Sequence, residues 1–525
     1  MPRVKCNTPQ SLVKVCVEFI ANNLDLWCKQ SLSELYEIGP EIGSNPFDQL
    51  PCTVLEQIVK ANRNIEQIVL QHLLTPQLTS AVLYGQQELL ELASNRCPQL
   101  KHLRINGCKL NFWPKFEKLQ VLQFSSGGAE DSFLHTIGTY CTDLRELDLR
   151  RCHRVTDYGI QGLCVSVDNL GRNCETLGQC KSIQLLSLER TVRVTKKGLQ
   201  MALNNMPILR NLHHDATVEA LVEIANNSLN GRLLDPPEFA LSVLRMPFNS
   251  PDYESGNLRL ALSLCPSVTV LRIVEAEGFS NIDLIGLSLM ALKSIRELSI
   301  YGDLKLQNLT ASKLTFNGGV VPLLKAIGIM LKRLKLENLK NVNIETVVEF
   351  CPNLLKFCLI DNLSYTTTCQ KVQKSVIFPQ SQEISMFQKL RILNIEILQF
   401  EEFILTGLSS SDHLMKLETL VLLLSSPLLS NITILSCDSL TDHVFFAAAK
   451  LHHFQNLEIL FLQNCHYVTK RGIDILMQDG NVLERVELND CMNVSSQKNM
   501  QDWVGQAKKK NWVLSVDCDE MSMRT

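Results

Sequence analysis

The sequence predicts an α/β repeat solenoid, and three observations predict it. First, one phrase recurs along most of the chain: an aliphatic residue, two others, an aliphatic, one other, an aliphatic. Copies include Leu100-Leu103-Ile105, Leu144-Leu147-Leu149, Ile295-Leu298-Ile300 and Leu457-Leu460-Leu462. Second, many copies return after roughly 26 residues, a period that marks a stacked repeat. Third, the last two aliphatics of each phrase alternate, so on a short strand both face one interior. The chain between phrases must then return by helices, and each turn hides its apolar side only against its neighbours.

The most regular copies carry more than leucine. Residues 141–152 read CTDLRELDLRRC and are followed by Val155-Thr156-Asp157 and Gly159-Ile160. Residues 457–476 repeat the pattern with Cys465, Val468-Thr469 and Gly472-Ile473. This resembles the cysteine-containing class of leucine-rich repeats, which implies that Cys152 and Cys465 fill a small interior position after the strand. Thr156 and Thr469 are expected to cap the helices that follow. The phrase is also read at Ile65-Ile68-Leu70, Ile183-Leu186-Leu188, Leu331-Leu334-Leu336, Leu354-Phe357-Leu359, Leu390-Leu393-Ile395, Leu417-Leu420-Leu422 and Leu483-Val486-Leu488. The resulting division is a helical region over 1–62, repeats over 63–495 and a terminal cap over 496–525. Loop-bearing insertions are expected near 226–254, which holds Pro236-Pro237, and near 364–385, which is rich in Thr and Gln.

Composition narrows the function. At 45% hydrophobic and 20% charged the chain is an ordinary folded protein. A net charge of −3 and a pI near 6.4 provide no basic footprint for nucleic acid. The most apolar run, 420–435, is broken by Ser-Ser-Pro, so no membrane span is expected. The 19 cysteines are scattered and form no CxxC pair, which fits buried thiols in a reducing compartment, cytoplasmic or nuclear. His213-His214-Asp215 and His452-His453 are the imidazole clusters, and adjacent residues point apart, so neither makes a metal site alone. Nothing assembles a nucleophile with a base or a phosphate-binding loop, so no catalysis and no cofactor are expected.

The N-terminus is read as a docking module. Thr8-Pro9 begins a helix on which Leu12, Cys16 and Ile20 stack at four-residue spacing, a stripe suited to a partner's apolar groove. Residues 11–20, SLVKVCVEFI, resemble the BC box of elongin-C-binding proteins, and Leu12, Cys16 and Ile20 match its positions. Residues 50–58, LPCTVLEQI, resemble a cullin-2 box through Leu50, Pro51, Val54 and Ile58. Together they resemble a VHL box, and the order of box then repeats resembles the zyg-eleven and Zer-one family of cullin-2 receptors. That resemblance implies a non-catalytic substrate receptor partnered by elongin C, elongin B and cullin-2 with its RING subunit.

Two alternatives stay open. LPCTVLEQIV also resembles the opening of an F-box, which implies Skp1 and cullin-1; a protein-interaction scaffold outside the ubiquitin system is the other. In every case a protein ligand is expected on the strand face that points away from the interior. In this register that face carries Ser299, Tyr301, Lys335, Glu337, Asn394, Glu396, Val421, Leu423 and Phe461. Tyr301, Lys335, Glu337 and Phe461 are the candidate contacts, since aromatic anchors dominate protein interfaces.

Overall fold

The computed structural model describes residues 71–84, 87–106, 113–114, 116–125, 128–164, 166–167, 173–174, 180–230, 236–246, 253–302, 314–339, 342–360, 387–396, 417–478, 482–509 and 514–517. Before these it describes Phe19, Ile20, Asn23, Phe47, Leu50, Cys52 and residues 54–56. The chain is a leucine-rich-repeat α/β fold in two units: Pro9–Arg245 with Leu260–Val268, and Met246–Arg259 with Thr269–Thr525 and Met1–Thr8.

In the first unit, strands β1 (Ser80–Tyr84), β2 (His102–Asn106), β3 (Val121–Ser125) and β4 (Glu146–Asp148) pair in parallel in chain order. A small antiparallel hairpin, β5 (Ser166–Val167) and β6 (Asn173–Cys174), interrupts the series. The series then continues through β7 (Leu185–Ser187), β8 (Asn211–His213) and β9 (Val243–Arg245). Helices return the chain: α1 (Gln87–Arg96), α2 (Asp131–Tyr140), α3 (Asp157–Cys164), α4 (Lys196–Asn205) and α5 (Thr217–Asn230). The end of α5 and the strand β9 fall within 226–254, and residues 231–235 and 247–252 of that stretch lie outside the described residues.

The second unit repeats the scheme. Its parallel strands are β10 (Val270–Val274), β11 (Glu297–Tyr301), β12 (Arg333–Glu337), β13 (Lys356–Ile360), β14 (Ile392–Glu396), β15 (Asn431–Leu435), β16 (Ile459–Gln463), β17 (Arg485–Asn489) and β18 (Ser515–Asp517). Its helices include α6 (Asn281–Ser288), α7 (Val321–Ile327), α8 (Ile344–Phe350), α9 (Leu417–Leu423), α10 (Asp442–Leu451), α11 (Lys470–Leu476) and α12 (Gln497–Lys509). The stretch 364–385 and the phrase at Ile65-Ile68-Leu70 lie outside the described residues. After β17, α12 seats Trp503 in the interior, 1% exposed, where its indole N–H donates to Asp474 at 2.8 Å.

The phrase at Leu417-Leu420-Leu422 is corrected. Those residues form α9, in which Val421 and Leu423 are 1% and 0% exposed, so neither belongs to the open strand face. The strand of that repeat is β15, built on Leu429-Ile432-Ile434. Its β-branched residues suit a pleated strand, whereas the Leu- and Glu-containing run before it favours a helix.

The positions after the strand are equally regular. In six repeats the second residue beyond the last interior aliphatic has positive φ: Arg151 (62°), Arg190 (61°), Asn338 (53°), Ser436 (53°), Asn464 (52°) and Asp490 (51°). This left-handed turn sends the next residue inward, and Cys152, Thr191, Leu339, Cys437, Cys465 and Cys491 are all fully buried. Burial pushes the thiols of Cys141, Cys164, Cys265, Cys351 and Cys437 up to about 12, so they remain protonated and unreactive at neutral pH.

Repeats are also clasped to one another at the helix starts. The Asp131 carboxylate accepts the Thr156 N–H at 2.8 Å and the Thr156 hydroxyl at 2.6 Å. Asp157 does the same for Thr195, at 2.7 and 2.6 Å, and Asp442 for Thr469. Each threonine hydroxyl in turn accepts the backbone N–H two residues on, at Tyr158, Lys197 and Arg471. The glycines of the motif leave room for the carboxylates. A Cβ on Gly159, Gly198 or Gly472 would stand 2.4, 2.4 or 2.5 Å from the Oδ1 of Asp131, Asp157 or Asp442.

Candidate functional site

The open face of the second unit is set by strand alternation. Leu298 and Ile300 of β11 are buried, and Glu297, Ser299 and Tyr301 between and beside them are half-buried on the other side. Parallel register carries this to the next strand, pairing Ser299 with Lys335 and Tyr301 with Glu337. Lys335 therefore lies diagonal to Tyr301. Its Nζ stands 4.7 Å from the ring centroid, within range of a cation–π contact, and 2.8 Å from the Glu337 carboxylate. Burial pulls the Lys335 ammonium down, but the Glu337 carboxylate and the Tyr301 hydroxyl outweigh it and hold the group above the ordinary lysine value. The Arg333–Glu297 ion pair flanks this cluster on the same two strands.

Three of the four candidate contacts thus form one cluster: an aromatic ring, an ammonium and a carboxylate. Phe461 does not join it. The register runs from Lys335 through Cys358, Asn394 and Thr433 to Phe461. At about 4.8 Å per strand, Phe461 lies roughly 19 Å from Lys335 along the sheet. Asn394 and Glu396 occupy the same half-buried face between them. With Val421 and Leu423 removed to α9, the face gains Thr433 and Leu435, and Ile360 lies beside Glu396 in register. Ile360, Leu435 and Phe461 make the middle of this face more apolar than the Tyr301 end. Sequence reading missed Thr433 and Leu435, although Leu429-Ile432-Ile434 carries the signal for β15.

The N-terminal boxes are described in part. Leu12, Cys16, Pro51 and Ile58 lie outside the described residues. Ile20 is helical and half-buried beside Phe19, which is 61% exposed. Leu50 and Val54 are half-buried, whereas Leu55 is fully buried. Glu56 accepts a hydrogen bond from the Thr79 hydroxyl, and the Cys52 thiol lies 3.3 Å from the same hydroxyl. Thr79 immediately precedes β1, so the second box is fastened to the start of the first repeat strand. Its Leu55 side faces the interior, and Val54 lies on a different side of the helix.

Among the described residues no group of His, Cys, Asp and Glu is arranged to hold a metal ion, and no helix is long and apolar enough to cross a membrane. The two imidazole clusters are local. His214 Nδ1 accepts the Ala216 N–H at 3.1 Å, and His452 Nδ1 accepts the Phe454 N–H at 3.2 Å.

No protein-family model matches the chain. A curated relative, F-box/LRR-repeat protein 4 of Bos taurus, is 25% identical over 129 residues. That alignment covers 23% of this chain and 19% of the relative, so the chain spans about one fifth of that protein's length. Among solved structures, the crystal structure of the Rad7 and Elc1 complex in yeast is 14% identical. It covers 97% of this chain and 98% of the other, with a TM-score of 0.41.

Proposed function

We propose that this chain is the non-catalytic substrate receptor of a cullin–RING ubiquitin ligase. Its N-terminal boxes dock an adaptor, and the open strand face of the second unit holds the protein to be modified. The observation that carries the reading is the second box, in which Leu55 and the Thr79–Glu56 hydrogen bond fix the helix to the first repeat while Val54 stays half-exposed. A docking helix fixed in this way would place a bound substrate at a set distance from the adaptor. The pattern Leu12-Cys16-Ile20 followed by Leu50-Pro51-Val54-Ile58 favours elongin C and elongin B as adaptor and cullin-2 as scaffold. A second reading, Skp1 with cullin-1, is favoured by the F-box opening within LPCTVLEQIV and by the name of the bovine relative.

Affinity capture of the full chain, blotted for elongin B, elongin C, Skp1 and cullins 1, 2 and 5, separates the two readings. Truncating a buried leucine costs about 2–5 kcal/mol, so Leu12→Ala with Cys16→Phe should lower elongin capture by at least about tenfold. Pro51→Ala with Val54→Asp should spare elongin and lower cullin-2. Skp1 recovered in place of elongin C assigns the second reading, and neither adaptor refutes both. Substrate crosslinking should fall in Tyr301→Ala with Phe461→Ala while adaptor capture stays intact.

A further inference from the structure

The turn arginines of the first unit lie side by side. Strands β4 and β7 pair with Leu147 opposite Leu186 and Asp148 opposite Ser187, and the Arg151 N–H donates to the Glu189 carbonyl at 2.9 Å. Carrying that register onward sets Arg151 against Arg190 and Arg154 against Arg193. Neighbouring strands run about 4.8 Å apart, so four arginines converge at one end of two successive repeats. All four are exposed, as are His153 and Lys197 beside them.

Nearby acids do not neutralise this ridge. Asp148 is taken by Arg150 at 2.6 Å, Glu189 by Arg245 at 3.1 Å and Glu223 by Lys196 at 2.8 Å, while Asp157 keeps its charge and spends both carboxylate oxygens on Thr195. Glu130 approaches Arg154 only to 3.8 Å. Among the described residues the guanidinium groups of Arg151, Arg190 and Arg193 have no hydrogen-bond or ion-pair partner.

The backbone supplies an independent observation. The left-handed conformation at 151 and 190 favours Gly, Asn and Asp and disfavours other side chains. Four repeats of the second unit place Asn, Ser, Asn and Asp at the equivalent turn. Arginine there adds backbone strain, and two on adjacent turns add mutual repulsion. Neither aids folding, and an arrangement that opposes folding points to a ligand.

We propose that Arg151, Arg154, Arg190 and Arg193 form a recognition surface for a short anionic stretch of a partner protein. A phosphorylated side chain, or clustered carboxylates, would lie between the two arginine pairs, whose planar forks bind such groups bidentately. The patch spans only two repeats on a chain of net charge −3, which suits a peptide better than a nucleic acid tracked along an extended basic surface. Val192, on the second turn, and Tyr158, in the first turn of α3, are each 79% exposed and give the peptide apolar contacts beside the charges. This surface stands independently of the ligase reading.

The test measures binding of the full chain to a degenerate peptide library centred on phosphoserine or phosphothreonine. Matched arms carry unmodified serine, paired glutamates, or a single-stranded DNA oligonucleotide. Arg151→Asn with Arg190→Asn installs the residue the second unit uses, so it should fold at least as stably as the parent. Losing charge-assisted hydrogen bonds should nevertheless weaken phosphopeptide binding by about tenfold or more. Arg154→Lys with Arg193→Lys should keep the salt dependence but weaken binding severalfold, because lysine lacks the fork. Phosphate preferred over glutamate assigns a phosphorylated segment, and equal binding assigns an acidic one; both sustain the surface. Binding unchanged in the asparagine variant, no binding of either anionic library, or tighter binding of the oligonucleotide overturns it.

Discussion

In the first unit the left-handed turn residue is arginine at 151 and 190; in the second it is Asn338, Ser436, Asn464 and Asp490. The interior on either side hardly differs: Leu149 and Cys152 flank the turn in one repeat, Leu462 and Cys465 in another, all fully buried. Interior packing therefore dictates the backbone, and the turn side chain is left to serve something else. Where residue type departs from local preference while the backbone does not, the reason lies outside folding.

The shared clasps test this comparison most severely, because they should behave alike in both units. Asp131→Ala and Asp442→Ala each remove an acceptor that holds one N–H and one hydroxyl. Each should cost about 2–3 kcal/mol, from the worth of hydrogen bonds to a charged group at a half-buried site. Urea denaturation of the two variants measures it. Gly472→Ala should destabilise the parent but cost little in the Asp442→Ala background, since the carboxylate it meets is gone. Additive losses in that double-mutant cycle would show that the glycine serves another purpose.

Acidification probes a second shared device. Burial, partly opposed by the Leu424 carbonyl, holds His452 below its ordinary value of 6.5, and burial likewise lowers His214. Each Nδ1 accepts a backbone N–H, a role only the neutral ring can fill. The unfolded chain then binds a proton near pH 6.5 that the folded chain still refuses. Stability should be full above that pH, fall as the pH drops below it, and level off under the lowered folded values. Replacing either histidine by Gln should flatten that slope by at most about one proton, read from melting temperature against pH.

Exchanging turn residues should have the smallest effect, with opposite signs in the two units. Arg151→Asn relieves a strained side chain and should stabilise by up to about 1 kcal/mol, whereas Asn464→Arg should destabilise by a similar amount. Thermal denaturation of both variants checks the signs. Destabilisation by Arg151→Asn would mean that the arginine supports the fold.

Much of the fold is legible because leucine spacing and burial report the same interior. The phrases at Leu144-Leu147-Leu149 and Leu457-Leu460-Leu462 coincide with β4 and β16, and Cys152, Cys465, Thr156 and Thr469 stand where their motif sets them. The failure at Leu417-Leu420-Leu422 has a plain cause. Residues 420–424 read LVLLL, and in such an apolar run every spacing is satisfied, so a strand phrase fits a helix equally well. Of the candidate site, alternation alone places Tyr301, Lys335 and Glu337 on one face, but their cation–π and ionic contacts depend on register between strands that no single phrase contains. The turn arginines escape notice for a related reason. Only when Arg151, Arg190, Asn338, Asn464 and Asp490 are stacked as one column does arginine stand out against its neighbours.

The clasps also give the array a direction. Each carboxylate belongs to the earlier helix and its donors to the later one, 25, 38 and 27 residues downstream. During synthesis every such acid is made before the groups that will engage it, and water holds the place until the next turn arrives. A chain cut back from its C-terminal end stops on an acid without its donors and one cut from the other end on a threonine without its acceptor, and water satisfies either. The span from 157 to 195 contains the hairpin β5–β6, so a clasp survives extra sequence between its halves. Duplication of one repeat keeps the pattern, because Thr156, Asp157 and Gly159 lie within a single stretch of sequence, the threonine closing the earlier clasp and the acid opening the next.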